Sequence, residues 1–368
     1  MKLLYFSQAY TSHDHRFLEA FADAGIETHY LRLTGEVLER RPFPAGVHPI
    51  SWIGDTLPYC YEEDQRQRLD ALRVVLEELL PDVVLAGPIQ SCTRLMSDSG
   101  FQPFVAMSWG SDLLVDAALG APGEEEARRI LAQADAGFGD CQQVADAFGR
   151  LTDLAKNRIV IFPWGIDTEK FSPDAGRAPY RNWPGWDQAE VVISLRSWEP
   201  IYAINVLVDA FTEVHRTHPS ARLLLAGDGS QKDTIIDLIE KNGLSDVVAA
   251  PGRIPNLDLP AWLASADLYV SSALSDGSSI SLLEAMGCGL PVVATRDYGN
   301  LEWVEQAVNG WLVSSGSPLL LAKAIMGALV SQPDQLAIMG KRNRTKVKQH
   351  AGWSANVGGL VSLLSEVL

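Results

Sequence analysis

Short, mostly apolar runs separated by stretches of helical period recur along the chain, and this alternation limits the fold more than any other feature. The runs are LLYFS (3–7), THYLRL (28–33), Val83–Ala86, Phe104–Met107, Ala136-Gly137-Phe138 and 159–162. They are too short for buried helices and lack the polar–apolar alternation of one-sided sheets, so they read as strands covered on both faces. Amphipathic stretches at 17–24 (closed by Gly25), 63–80 (closed by Pro81), 124–133 and ahead of 159 lie between them, with a polar loop predicted over 8–16. Strand–helix–strand repetition of this kind specifies a parallel α/β sheet. The rhythm breaks at PWGIDTEKFSPDAGRAPYRNWPGWDQAE (163–190), which holds four Pro and three Gly and reads as an interdomain linker. It then restarts with EVVISL (190–195), a helix over 204–217, a strand at 222–226, a helix over 231–241, 246–250, a helix over 258–265 and a strand at 267–271. The predicted architecture is two doubly wound, Rossmann-like α/β domains facing a cleft, with ligands at the carboxyl ends of the strands. The boundaries are 1–165 for an acceptor-side domain and 166–350 for a donor domain, with a C-terminal helix over 351–368 crossing back to the first.

Residues 275–295, SDGSSISLLEAMGCGLPVVAT, carry the chemistry. A helix starting near Ser278 places Leu282, Leu283 and Met286 on one face, and Ser278 and Ser279 are N-cap residue types. A helix N-terminus opening on a cleft is an anion site. Gly287-Cys288-Gly289-Leu290-Pro291 ends the helix and Val292–Thr295 is the next strand. Asp276 and Glu284 bracket that helix start.

Charge narrows the function classes. The formal net charge is −16, and residues 1–170 hold 15 Lys+Arg against 26 Asp+Glu, or −11 of it. Nucleic-acid binding needs clustered cations, so no nucleic-acid partner is expected. Anionic lipid head groups would be repelled as well, so membrane association is read as weak or absent. The first six residues are too short for a signal sequence, and no apolar stretch reaches membrane-spanning length. Cys60, Cys92, Cys141 and Cys288 are scattered without ligand spacing, which fits reduced thiols, no metal site, no resident cofactor and a cytoplasmic location.

Four further motifs stand in register with this stretch, which itself ends in Gly289-Leu290-Pro291-Val292-Val293-Ala294-Thr295: Gly165-Ile166-Asp167 with Phe171; Leu225-Ala226-Gly227-Asp228-Gly229; ASADLYVSSA (264–273); and Asn309-Gly310-Trp311-Leu312-Val313. Together they make the chain resemble the retaining glycosyltransferases of family 4, which have the GT-B fold. The resemblance implies a sugar transferred from a nucleotide diphospho-sugar to a glycan, lipid-linked or small-molecule acceptor, without a metal. It implies a catalytic set of Arg196 on the phosphates, Asp276 on the donor sugar and Glu284 on the ribose hydroxyls. Gly227 and Gly229 would let backbone approach the nucleotide. Arg253 and Ile254 would meet the base, and Gly277, Ser278, Ser279 and Ile280 would hold sugar and diphosphate. Departures accompany it. Tyr202 stands where the family has a Lys for the diphosphate, Trp109 stands in a loop that often carries a His, and residues 10–16 replace a Gly-Gly turn.

Blander readings stay open beside these. Tyr202 is either packing or a phosphate contact. Trp109 is a wall or a sugar platform. Asp112 is a ligand or a helix cap. His13 and His15 are ligands or solvent-facing loop residues, and Arg16 is a candidate for the charge that Tyr202 lacks. A non-catalytic nucleotide- or sugar-binding partner subunit and a nucleotide-sugar epimerase are the alternative functions. A dinucleotide oxidoreductase is excluded, because residues 7–16 contain no glycine for its fingerprint. The acidic first domain points to a neutral or soluble acceptor, and oligomeric state is not readable.

Overall fold

In the computed structural model, which describes residues 1–57 and 62–368, every apolar run named above pairs as a parallel strand. The chain divides into two compact units, Met1–Phe162 with Ala355–Leu368, and Pro163–Ser354.

Unit 1 contains β1 (Lys2–Ser7), β2 (Glu27–Arg32), β3 (Val47–Pro49), β4 (Val83–Ala86), β5 (Phe104–Met107), β6 (Ala136–Gly139) and β7 (Ile159–Ile161), in the order β3-β2-β1-β4-β5-β6-β7. Leu3, Leu4, Tyr5 and Phe6 of β1 and all of β4 and β5 are fully buried, as expected of strands covered on both faces. The edge strand β3 has only Val47 buried, too weak a pattern to be anticipated.

The first helix corrects the sequence reading. It runs Ser12–Asp23, not from 17, because Thr11 and Asp14 form a reciprocal capping box. Asp14 Oδ2 accepts the Thr11 N–H at 2.8 Å, and Tyr5 Oη donates to Asp14 Oδ1 at 2.8 Å. His13, His15 and Arg16 therefore belong to the first turns of a helix rather than to a loop. The C-terminal helix Trp353–Glu366 reaches unit 1, where Arg158 Nη1 donates to the Glu366 carbonyl at 3.1 Å.

Unit 2 contains β8 (Glu190–Ser194), β9 (Ala221–Leu225), β10 (Val248–Ala249), β11 (Leu268–Ser271), β12 (Val292–Thr295) and β13 (Gly310–Val313), in the order β10-β9-β8-β11-β12-β13. The segment read as a linker contributes Ile166, Phe171, Tyr180 and Trp186 to the core of this unit. The helix after β11 spans Ile280–Gly287, with Ser279, one of the two expected cap residues, in an extended conformation at its N-cap. Gly289, at φ +77°, turns the chain after it.

Cys92, Cys141 and Cys288 are buried; Cys60 lies outside the described residues. Among the described residues no helix is long and apolar enough to cross a membrane, and no group of three or more His, Cys, Asp or Glu is arranged to hold a metal ion.

Candidate active site

The order of the unit 2 sheet places its crevice. From β8 the chain steps outward to β9 and β10, then returns to pair β11 against the other edge of β8. The strand order reverses between β8 and β11, and the carboxyl ends at such a switch point are where ligands bind in open α/β sheets. Arg196 leaves β8 there, and Asp276 leaves β11.

These two residues meet. Arg196 is 8% exposed, and its Nη2 lies 2.7 Å from Asp276 Oδ2. Nη1 donates to Ser279 Oγ at 2.7 Å and to Ser281 Oγ at 3.1 Å, and Ser281 is bonded in turn to Tyr269 Oη at 2.8 Å. The Tyr202 ring lies under the guanidinium, 4.0 Å from its carbon. The ring is thus a cation–π partner of Arg196, a role the sequence reading did not foresee. Burial works against the Arg196 charge, but Asp276 and the surrounding tyrosines outweigh it and hold its pKa above the usual value. Burial also raises the Asp276 carboxyl, against the pull of Arg196 and of bonds from Ser279 and Gly277. Arg196 Nε has no hydrogen-bond partner although it is buried, an arrangement that costs free energy unless an acceptor arrives. The site therefore concentrates N–H and O–H donors of one guanidinium and two serines at a helix start, the chemistry of an oxyanion cradle.

The chain's own packing requires glycine at 227 and 229. A Cβ on Gly227 would collide with the Arg196 carbonyl, and one on Gly229 would sit 2.7 Å from both the Trp198 carbonyl and Glu199 Oε1. The crowding comes from the chain's own 196–199 segment. Trp198 N–H donates to the Asp228 carbonyl at 3.1 Å, and Gln231 N–H donates back to the Trp198 carbonyl at 2.9 Å. The two glycines thus lock the backbone of Arg196 onto the loop after β9.

Glu284 is 7% exposed on the helix behind the Arg196 cluster, with Ser278 buried, Gly277 buried and Ile280 half-buried at the start of the motif. Arg253 is exposed and Ile254 half-buried, and Arg253 acts electrostatically on Asp228. Three residues were missed by the sequence reading. Ser281 completes the Arg196 cluster. Gly299 packs on the backbone of the Asp276–Gly277 loop. Asp297, past β12 and 7% exposed, feels both Asp276 and Arg196. The only available signal was an Asp before Tyr298-Gly299-Asn300, which reads as an ordinary helix cap.

In unit 1 the switch point falls between β1 and β4. His13, His15 and Arg16 follow β1, and Trp109 and Asp112 follow β5. His15 Nδ1 pairs with Tyr10 Oη at 2.7 Å, and burial, then Arg41, pulls its pKa down. His13 and Arg16 are half-buried, as is Trp109. Asp112 is a structural organiser: it accepts the Ile89 N–H at 3.0 Å, the Trp109 N–H at 3.1 Å and the Ser108 hydroxyl at 2.6 Å. It joins the loop after β4 to the loop after β5, and burial raises its carboxyl. Asp112→Ala is expected to cost about 3–5 kcal/mol, since several buried donors lose their acceptor at once, each worth about 1–3 kcal/mol. Urea unfolding followed by tryptophan fluorescence measures this, and a loss below about 1 kcal/mol would remove Asp112 from that role.

A cavity of about 430 Å³ lies at the opposite, amino edge of the unit 2 sheet, lined by Arg177, Arg181, Asp187 and Asp267 among others. Arg181 is spent there on Asp267 Oδ2 and on the carbonyls of Ser265, Trp186 and Ala189, so the chemistry remains at the carboxyl edge.

Comparisons with known proteins fall on the same unit. Residues 180–346 match the family model described as Glycosyl transferases group 1. The GDP-mannose-dependent alpha-(1-6)-phosphatidylinositol monomannoside mannosyltransferase of Mycolicibacterium smegmatis is 30% identical over 229 residues, covering 60% of this chain and 58% of that protein. The D-inositol 3-phosphate glycosyltransferase of Segniliparus rotundus is 28% identical over 242 residues, covering 64% and 53%. The chain therefore spans little more than half the length of these relatives. Among solved structures, Anabaena Alr3699/HepE in complex with UDP and glucose has a TM-score of 0.81 at 19% identity, with 99% of both chains covered. Sucrose-phosphate synthase from Thermosynechococcus elongatus has a TM-score of 0.82 at 18% identity, covering 100% of this chain and 99% of that one. With two doubly wound parallel sheets and these neighbours, the fold of this chain is GT-B.

Proposed function

We propose that the chain is a metal-independent, retaining hexosyltransferase of glycosyltransferase family 4. It moves a sugar from a nucleotide diphospho-sugar to a glycan, lipid-linked or small-molecule acceptor. The observation that carries this reading is Arg196, held at the β8/β11 switch point by Asp276, Ser279 and Ser281 inside the segment matching the group 1 model. UDP in HepE and GDP-mannose dependence in the M. smegmatis relative support a nucleoside diphosphate leaving group. In this reading Glu284, an acceptor-only carboxylate, takes hydrogen bonds from the ribose hydroxyls, and Asp276 takes those of the sugar. Arg196 and the amides of Gly277, Ser278, Ser279 and Ile280 stabilise the departing diphosphate, whose oxygen takes the acceptor's proton. Catalysis then consists of positioning and charge stabilisation. Acceptor-side roles for His13, His15, Arg16 and Trp109 and a cytoplasmic location belong to the same proposal.

A second reading, a nucleotide-binding partner subunit without turnover, is favoured by Tyr202, which gives Arg196 a ring face where the family places a second cation. The two readings part in an assay of nucleoside diphosphate release from UDP-glucose, UDP-N-acetylglucosamine and GDP-mannose. The transferase releases one of UDP or GDP, and Glu284→Ala lowers that release at least a hundredfold. Binding of a nucleotide with no release from any donor would establish the partner subunit instead.

A further inference from the structure

Asp297 has no part in the roles above, and its surroundings give it one. It lies two residues past β12, with Oδ1 accepting the Asn300 N–H at 2.9 Å and Oδ2 accepting Asn300 Nδ2–H at 2.7 Å. It thereby caps the helix Tyr298–Trp303. One residue into that helix, Gly299 presses on the Gly277 carbonyl and comes close to that of Asp276. The cap thus fixes the position of the loop that carries Asp276.

Electrostatically the same residues are coupled. Arg196, from the loop after β8, and Asp276, from the loop after β11, both act on the Asp297 carboxyl, and Asp297 acts back on Arg196. Thr295 and Asn300, its bonding partners, are neutral, Arg296 beside it is exposed, and Tyr202 and Tyr269, which flank Arg196, carry pKa values pushed up by burial. Burial first, then the Asp276 charge, lifts the Asp297 carboxyl to about 7, against the bond from the Asn300 backbone and the pull of Arg196.

Three buried or half-buried carboxylates, Asp276, Glu284 and Asp297, thus stand in one region with the Arg196 charge, which Asp276 already contacts at 2.7 Å. A nucleoside diphosphate brings at least two more negative charges into that region. Like charge in a poorly solvated site favours the neutral form of a neighbouring acid. Asp276 lies 2.7 Å from the guanidinium, a direct contact that favours its charged form against burial. Asp297 makes no such contact and is the carboxylate that yields.

We propose that Asp297 is a positioning residue that takes up one proton from solvent when a nucleoside diphosphate binds at Arg196, removing a buried negative charge while keeping the helix cap in place. The inference rests on the donor-site reading. The neutral acid still accepts the Asn300 N–H through its carbonyl oxygen, so the loop carrying Asp276 holds its position in both protonation states. Linkage then requires nucleotide affinity to fall about tenfold per pH unit above pH 7.

Calorimetric titration of wild type, Asp297→Asn and Asp297→Ser with UDP, with GDP and with ADP, at pH 7.5 and 8.5 in two buffers of different ionisation heat, tests this. In that range the terminal phosphate, with a pKa of about 6, is already ionised. Asn and Ser both keep an N-cap acceptor, so a folded reference remains if either one alone fails. Wild type is expected to take up a fraction of a proton that approaches one as pH rises, and to bind about tenfold more weakly at pH 8.5 than at 7.5. The variants are expected to show no uptake and a level affinity. Equal uptake in wild type and variants, or none in wild type, would overturn the role of Asp297. Failure of UDP and GDP, and of ADP, to bind wild type at either pH is a different result: it overturns the donor site itself, and this inference with it.

Discussion

Arg196→Ala is expected to abolish nucleotide binding and to cost the fold about 3–5 kcal/mol, the usual penalty for leaving one partner of a buried ion pair uncompensated. Asp276 would remain buried without its cation, the Ser279 and Ser281 hydroxyls would lose a donor, and the Tyr202 ring would lose a guanidinium lying 4.0 Å away. Arg196→Lys is not expected to rescue the site. A single ammonium cannot reach Asp276, Ser279 and Ser281 with separate N–H groups while lying flat on a ring. A double-mutant cycle in urea separates the parts: the Arg196→Ala/Asp276→Ala pair should recover much of the stability lost in Arg196→Ala, because the unpaired charge is gone. It should recover none of the nucleotide binding. An Arg196→Ala protein within about 1 kcal/mol of wild type that still binds nucleotide would refute this role for Arg196.

Gly299→Ala sets local propensity against packing, and packing should win. Alanine is the better helix former by about 1 kcal/mol, so the helix Tyr298–Trp303 taken alone favours the change. A Cβ at this position, however, collides with the Gly277 carbonyl oxygen and lies 2.6 Å from its carbon and 3.0 Å from the Asp276 carbonyl oxygen. All three atoms are backbone, so no side chain can swing aside, and either the helix or the loop carrying Asp276 must move. Overpacking of this kind costs about 1–3 kcal/mol, and the displaced loop should weaken nucleotide binding as well. Gly327→Ala is the matched control, in the helix Pro318–Leu329 with nothing within 4 Å of the added methyl. It should stabilise by up to about 1 kcal/mol and leave binding unchanged. Thermal melts of the three proteins decide the matter; equal gains in both variants would mean that the helix and the loop are not in register as described.

Which parts of this were legible in the chain follows from what local sequence encodes. Strands covered on both faces leave an apolar run that reads without tertiary information, so all but the edge strand β3 and the motif strand β13 were anticipated. Helix starts depend on which side chain wins a backbone N–H. Thr11 and Asp14 claim theirs and draw the first helix back to Ser12, whereas Ser279 caps the helix after β11 without a side-chain bond to its N–H groups, its hydroxyl accepting from Arg196 instead. Gly227 and Gly229 announced a close approach, but sequence alone does not name the approaching atoms, which belong to residues 196–199. Asp297, Ser281 and Gly299 act across strands that are distant in sequence, and only the β8-β11-β12 order brings them beside Arg196.

In the proposed function a nucleoside diphosphate binds at the Arg196–Ser279 cradle of unit 2, with Glu284 on its ribose. A thermal-shift panel of UDP, GDP and ADP on wild type and Glu284→Ala tests it most directly. A concentration-dependent rise in melting temperature is expected with one of these nucleotides, lost in the variant. No rise with any of them on folded wild-type protein, or the same rise in both proteins, would contradict it.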